Sequence, residues 1–152
     1  MSESDLGAAD NVLIQMFRTV QAVRELVSEA VSGTGVTPDE YAVLSSIGYL
    51  KQVSPTELAA RLRLPPTTIS RYVAGLVDSG LAVRTPNPDD GRSYLLELTD
   101  DGRAVIATVQ PRFRATLDRL RERAALDQIE AALIELELAA RAVSVDSTAT
   151  RQ

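Results

Sequence analysis

Pro65-Pro66 limits how this chain can fold more than any other feature. Proline has no amide hydrogen to give a helix and disfavours a helical residue before it, so no helix can run through this point. Yet both flanks carry helical patterning. Ser54-Pro55-Thr56-Glu57 is a helix start: Ser can cap, Pro fits the first turn, and Glu three residues on can return a bond to the cap. Leu58, Ala59 and Leu62 then face inward. Pro66 suits the first turn of a second helix that reaches about Ser79, with Ile69, Val73 and Leu76 (or Val77) on one face and Gly80 as its C-terminal stop. The expectation is two short helices with a tight connector.

After Gly80 the period changes. Leu81 to Thr85 and Ser93 to Leu98 are short and β-compatible, and Pro86-Asn87-Pro88-Asp89-Asp90-Gly91-Arg92 between them is dense in turn formers. This predicts a hairpin with a loop of about six or seven residues. Upstream, Val12, Met16, Val20, Val23, Val27 and Ala30 form one face of a helix from about Ala8 to Val31, ended by Gly33 and Gly35. Thr37-Pro38-Asp39-Glu40 repeats the start signal and opens a helix to about Leu50 carrying Tyr41, Leu44, Ile47 and Tyr49. Downstream, Thr99-Asp100-Asp101-Gly102 opens a long helix with the stripe Ile106, Val109, Phe113, Leu117, Leu120 and Ala124, which Pro111 should bend. A last helix runs from about Leu126 to Val143 on Leu126, Ile129, Leu133, Leu136, Ala140 and Val143. The polar tail from Ser144 is expected to be disordered.

The helix pair and hairpin together define a winged helix-turn-helix. In that arrangement one helix braces while the next enters the major groove of DNA. The second helix presents Thr67, Thr68, Ser70, Arg71 and Ala74 opposite its apolar face. Hydroxyls can bond phosphates or base edges, and Arg can make a bidentate contact to guanine. The plain alternative is an ordinary solvated face. The loop ends in Asp89-Asp90-Gly91-Arg92, and one Arg on a projecting loop suits the negative potential of the minor groove. Asp90 is placed to brace Arg92 by a paired hydrogen bond. Arg61, Arg63 and Arg84 are candidate phosphate contacts, with solvated surface charges as the alternative.

Charge supports this placement. The net charge of −5 argues at first against nucleic acid. However, residues 1–40 hold 2 basic and 7 acidic residues, residues 41–95 hold 6 and 4, and residues 96–152 hold 8 and 10, so the only positive segment is the winged one. A local basic patch is what attraction to phosphates requires. The absence of Cys and His excludes disulfides, zinc ribbons, thiol switching and the commonest catalytic base. Adjacent carboxylates such as Asp89/Asp90 and Asp100/Asp101 do not converge as an acid–base pair must. Catalytic residues, metal and cofactor are therefore not expected, and the chain is read as a non-enzyme. No apolar run approaches a membrane span, and the acidic N-terminus is unlike a signal peptide, so the expected location is cytoplasmic, with no membrane partner.

The run SPTELAARLRLPPTTISRYVAGLVDSGLAVRTPNPDDGRSYLLELTDDGRAV resembles the multiple-antibiotic-resistance regulator (MarR) family of bacterial winged-helix repressors. The likeness is strongest from Leu76 through Gly80 into the hairpin, at Asp90-Gly91-Arg92, and at Leu98-Thr99 to Gly102. It implies a mainly α fold with a small β-hairpin, a winged helix-turn-helix domain flanked by long dimerisation helices. It implies a homodimer whose first, fifth and sixth helices interlock, binding a pseudo-palindromic operator in double-stranded DNA, usually to repress. It often implies release by a small amphipathic effector held between the dimer helices and the DNA-binding lobe. Two departures stand out: Arg63 occupies a turn position often given to Gly, and the wing holds one Arg. With neither Cys nor His, oxidant and metal sensing are not expected.

The expected organisation is a helical dimerisation region at 1–35 and 103–145, a winged domain at 36–102 and a disordered tail at 146–152. Phe17, Arg18, Tyr41, Tyr49 and Phe113 are candidates for the ligand pocket, since aromatics with one cation suit an apolar acid such as a phenolic carboxylate. Core filling is the commoner role for such residues. The competing function is a winged-helix protein-interaction module that does not bind DNA.

Overall fold

The structure, a computed structural model, describes residues 3–149, with the side chains of 11–140 and 142. The elements are α1 (Glu3–Val31), α2 (Pro38–Leu50), α3 (Pro55–Leu62), α4 (Pro66–Asp78), β1 (Ala82–Pro86), β2 (Tyr94–Leu98), α5 (Asp100–Arg121) and α6 (Leu126–Ala149). They group into two units, residues 1–113 and 114–152. Among the described residues no helix is long and apolar enough to cross a membrane.

Helices α2 and α3 start as their sequences dictate. Thr37 and Ser54 each sit in extended backbone as N-caps, each with a Pro in the first turn. Each cap oxygen accepts from the backbone amide of the Glu three residues on, and that Glu carboxylate accepts from the cap amide at 2.8 Å. Both capping boxes are thus closed, which satisfies amides that have no partner within the helix.

The core of the first unit forms where these helices meet the hairpin. Val43, Leu44 and Ile47 of α2, Leu58 of α3, and Ile69, Val73 and Leu76 of α4 are all buried. Ala82 and Leu96 of the hairpin, Val109 of α5, and Ala30 and Val31 at the end of α1 join them. Strands β1 and β2 pair antiparallel, with Ala82 opposite Leu98 and Pro86 opposite Tyr94. Val53 adds an isolated bridge to Leu96 through two backbone bonds of 3.3 and 2.9 Å. The base of the hairpin is thereby tied to the residue just before α3.

The junction from β2 into α5 depends on two small residues. The Thr99 hydroxyl donates to the Gly80 carbonyl at 2.7 Å and accepts from the Gly102 amide at 3.0 Å, capping α5 and holding the start of the hairpin. A Cβ on Gly102 would overlap the carbonyl oxygen of Leu81, so only Gly permits this approach. At Gly48, between α2 and α5, a Cβ would meet the tip of the Ile106 side chain at 2.8 Å, which would have to shift to admit it.

Several expected boundaries move. Helix α1 begins at Glu3 rather than near Ala8. Helix α5 runs through Pro111 without a break and ends at Arg121, so Ala124 falls in the turn after it, where its amide donates to the Leu120 carbonyl. Helix α6 continues past Val143 to Ala149, because residues 144–149 hold neither Pro nor Gly to stop it. Residues 146–149 of the expected disordered tail are therefore helical, and residues 150–152 lie outside the described ones.

Candidate nucleic-acid interface

Helix α4 presents two chemically distinct faces. Ile69, Val73 and Leu76 are each 1% exposed, whereas Thr67, Ser70 and Arg71 are exposed and Thr68 is half-buried. Ser or Thr within a helix commonly bonds back to a carbonyl one turn earlier. Thr19, Ser46, Ser79 and Thr108 do so at 2.8 to 2.9 Å. Thr67, Thr68 and Ser70 make no such bond among the described residues, so their hydroxyls remain available. Helix α4 also starts on Pro65 with no side-chain cap; the Thr68 amide donates instead to the Pro65 carbonyl at 2.9 Å.

The connector from α3 to α4 turns on Arg63, which ends α3 in the left-handed conformation at φ 55° and ψ 39°. A residue with a Cβ can hold this geometry at a cost of about 1–2 kcal/mol. The turn that glycine often makes is therefore made here by arginine. Its amide donates to the Ala59 carbonyl.

The loop of the hairpin braces itself. The Asn87 side chain bonds the Ser93 hydroxyl at 2.7 Å and accepts from the Asp89 amide at 3.0 Å. Asp90 accepts from the backbone amide of Arg92 at 3.0 Å. The expected bond from Asp90 to the Arg92 guanidinium is not the one formed. A carboxylate two residues before an amide closes an Asx turn more readily than it reaches a long side chain beside it. Asp90 thus shapes the loop and leaves the exposed Arg92 guanidinium without a protein partner among the described residues.

Three of the candidate arginines lie over tyrosine rings. Arg61 stands 4.9 Å from the centre of Tyr49, Arg71 stands 4.7 Å from Tyr72, and Arg84 stands 5.1 Å from Tyr94. Each distance is within the range of a cation–π contact, which orders a guanidinium without using its hydrogen-bond donors. Tyr72 and Tyr94 were not singled out by sequence, although each lies near its arginine in the chain or across the hairpin register. Tyr72 also donates its hydroxyl to Asp39 at 3.1 Å, and Asp39 pairs with Arg24 of α1 at 2.7 Å. No spacing rule links residues so far apart.

The ligand candidates do not assemble as a set. Tyr41 and Tyr49 line one cleft of about 390 Å³ with Ser45, Gly48, Leu98, Arg103, Ile106 and Gln110. Burial pushes the Tyr41 phenol above its ordinary value. Phe17 and Arg18 lie exposed on α1, and Phe113 packs against the core; none of the three lines this cleft. The cation at the cleft is Arg103, which sequence reasoning did not select. Among the described residues no group of three or more His, Cys, Asp or Glu is placed to hold a metal ion.

Comparison with known proteins agrees with this geometry. The MarR family model matches residues 34–93. The multiple antibiotic resistance protein MarR of Escherichia coli (strain K12) is 32% identical over 108 residues, covering 68% of this chain and 73% of that protein. The transcriptional repressor MdtR of Bacillus subtilis is 28% identical over 101 residues, covering 64% and 65%. Among solved structures, an E. coli MarR variant complexed with operator DNA has a TM-score of 0.75 at 25% identity, covering 90% of this chain and 99% of that one. The transcriptional repressor CouR bound to a 23-mer DNA duplex has a TM-score of 0.72 at 31% identity, covering 83% and 89%.

Proposed function

The chain belongs to the MarR family, and from that premise we propose that it is a sequence-specific DNA-binding transcriptional regulator acting as a homodimer, most simply a repressor. The carrying observation is the outward face of α4, where Thr67, Thr68, Ser70 and Arg71 have free donors and acceptors above a fully buried apolar face. In this reading α4 enters the major groove, and Arg92 at the wing tip meets the neighbouring minor groove. Arg61, Arg63 and Arg84 face phosphates. The dimer forms through the helical regions at 1–35 and 103–145 flanking the winged domain at 36–102, and its two-fold axis calls for half-sites about 10 base pairs apart.

The remaining chemistry fits a non-enzymatic cytoplasmic regulator. Asp90 serves the wing turn, and Asp100 pairs with Arg103 at the start of α5. The cleft at Tyr41 and Tyr49 is the place proposed for an amphipathic effector, with Arg103 to meet an acid group and Ile106 and Leu98 to cover an apolar ring.

A DNA duplex enriched by this chain from a random pool provides the probe, with affinity followed across a salt series. Phosphate contacts give a log–log slope close to −0.9 for each phosphate neutralised. Arg92→Ala weakens binding with little change in preferred sequence. Adding a phenolic carboxylate lowers affinity, and Tyr49→Ala removes that response. If no duplex is enriched even at low salt, the DNA reading is wrong and the fold serves protein contacts instead.

A further inference from the structure

One carboxylate joins three helices beneath the DNA-reading face. Asp39, in the first turn of α2, accepts from Arg24 of α1 at 2.7 Å and from the Tyr72 hydroxyl of α4 at 3.1 Å. The Tyr72 ring in turn carries the Arg71 guanidinium at 4.7 Å. We infer that Asp39 is a positioning residue for base recognition: by fixing the Tyr72 ring through its hydroxyl, it sets where Arg71 can point. The inference rests on the reading that Arg71 contacts a base.

The energetics favour orientation over stability. The side chains of Arg24 and Asp39 are 54% and 43% exposed, and an ion pair so well solvated contributes little to folding. Arginine, by contrast, has several soft torsions, and a bidentate contact to guanine needs its planar fork in one plane. A ring held at its hydroxyl end offers a fixed platform for that plane. Gly75 of α4 faces α2 at this junction, where an added Cβ would come 3.2 Å from the Glu40 carboxylate. Arg24 completes the arrangement by holding the Asp39 carboxylate from the side of α1, so the element proposed to form the dimer is linked to the reading helix through Asp39 of α2.

Tyr72→Phe is the decisive variant, because it keeps the ring under Arg71 and removes only the bond to Asp39. Asp39→Ala removes the acceptor itself. The probe is the duplex enriched by the wild-type chain, with each base pair substituted in turn. Arg71→Ala should lose discrimination about tenfold at one base pair of each half-site. Tyr72→Phe and Asp39→Ala should lose it several-fold at that same base pair, with an unchanged salt slope. In an Arg71→Ala background, Tyr72→Phe should change discrimination no further. A purely structural role would lower thermal stability and affinity for all duplexes alike, without touching one base pair. If Arg71→Ala loses discrimination while Tyr72→Phe keeps it, or if the two losses simply add, the positioning role is refuted and the reading of Arg71 stands. If Arg71→Ala itself leaves discrimination intact, that reading falls and the positioning role falls with it.

Discussion

Helices α4 and α6 carry the same apolar period and meet opposite fates. On α4, Ile69, Val73 and Leu76 are each 1% exposed, covered by other parts of the same chain. On α6, Leu133 is 57% exposed, and Ile129, Leu136 and Leu138 are exposed with it. The N-terminal part of α1 resembles α6: Val12, Phe17, Val20 and Val23 are all exposed. Helical periodicity therefore says that a face is made to be buried, but not which chain buries it. Contiguous apolar faces of this kind mark interaction sites, and in a MarR-family protein a second copy is the occupant we propose.

The largest effects separate these two kinds of burial. Leu76→Ala should lower the unfolding free energy by about 2–5 kcal/mol, since the site is closed on all sides and cannot collapse fully. It should leave the subunit equilibrium nearly unchanged in sedimentation. Leu133→Glu should do the reverse, raising the dimer dissociation constant by tenfold or more, or about 1.4 kcal/mol, while the α2–α4 core still melts cooperatively. If Leu133→Glu left the dimer intact, the exposed face of α6 would need another occupant.

A smaller effect tests the turn between α3 and α4. Arg63→Gly should raise stability by at most about 1 kcal/mol, because relief of the left-handed strain is partly offset by the entropy glycine adds to the unfolded chain. The same variant should lose DNA affinity and flatten the salt slope by about one phosphate. Stability falling instead, with the slope unchanged, would make Arg63 a structural residue and remove it from the interface.

The contrast also explains what was legible in the sequence. Caps, prolines and short-range periods act within a few residues, so the two capping boxes, the break at Pro65-Pro66 and the buried face of α4 could all be read directly. Arg71 and Arg92 could be chosen because helix phase and loop position expose them. The Val53 bridge to Leu96, the Gly102 approach to Leu81, and the Arg24–Asp39–Tyr72 link depend on segments distant in the chain, and no local pattern announces such meetings. Asp90 was chosen rightly as a loop residue and wrongly as a partner for a guanidinium, because its nearest donor is a backbone amide that side-chain chemistry does not reveal. The ligand candidates failed to assemble for a related reason: aromatic residues on different helices look alike in sequence whether they line a cleft, pack a core or stand exposed.

The smallest effect belongs to the start of α3, the helix that braces α4. The Ser54 backbone amide, and after it the Ser54 hydroxyl, both donate to the Glu57 carboxylate, which holds Glu57 below its ordinary value. Because the folded value is depressed, the stabilisation is fully present above the ordinary glutamate value and is lost as pH falls through the folded one. Glu57→Gln keeps an acceptor but not the charge, so wild type should be the more stable at neutral pH, and the two should converge as the pH drops below the carboxylate range. Urea melts of both chains from pH 7 downward measure this. A difference that stayed constant with pH would mean that Glu57 supports α3 through shape alone, and that the charge of the capping box contributes nothing to the helix on which the reading helix rests.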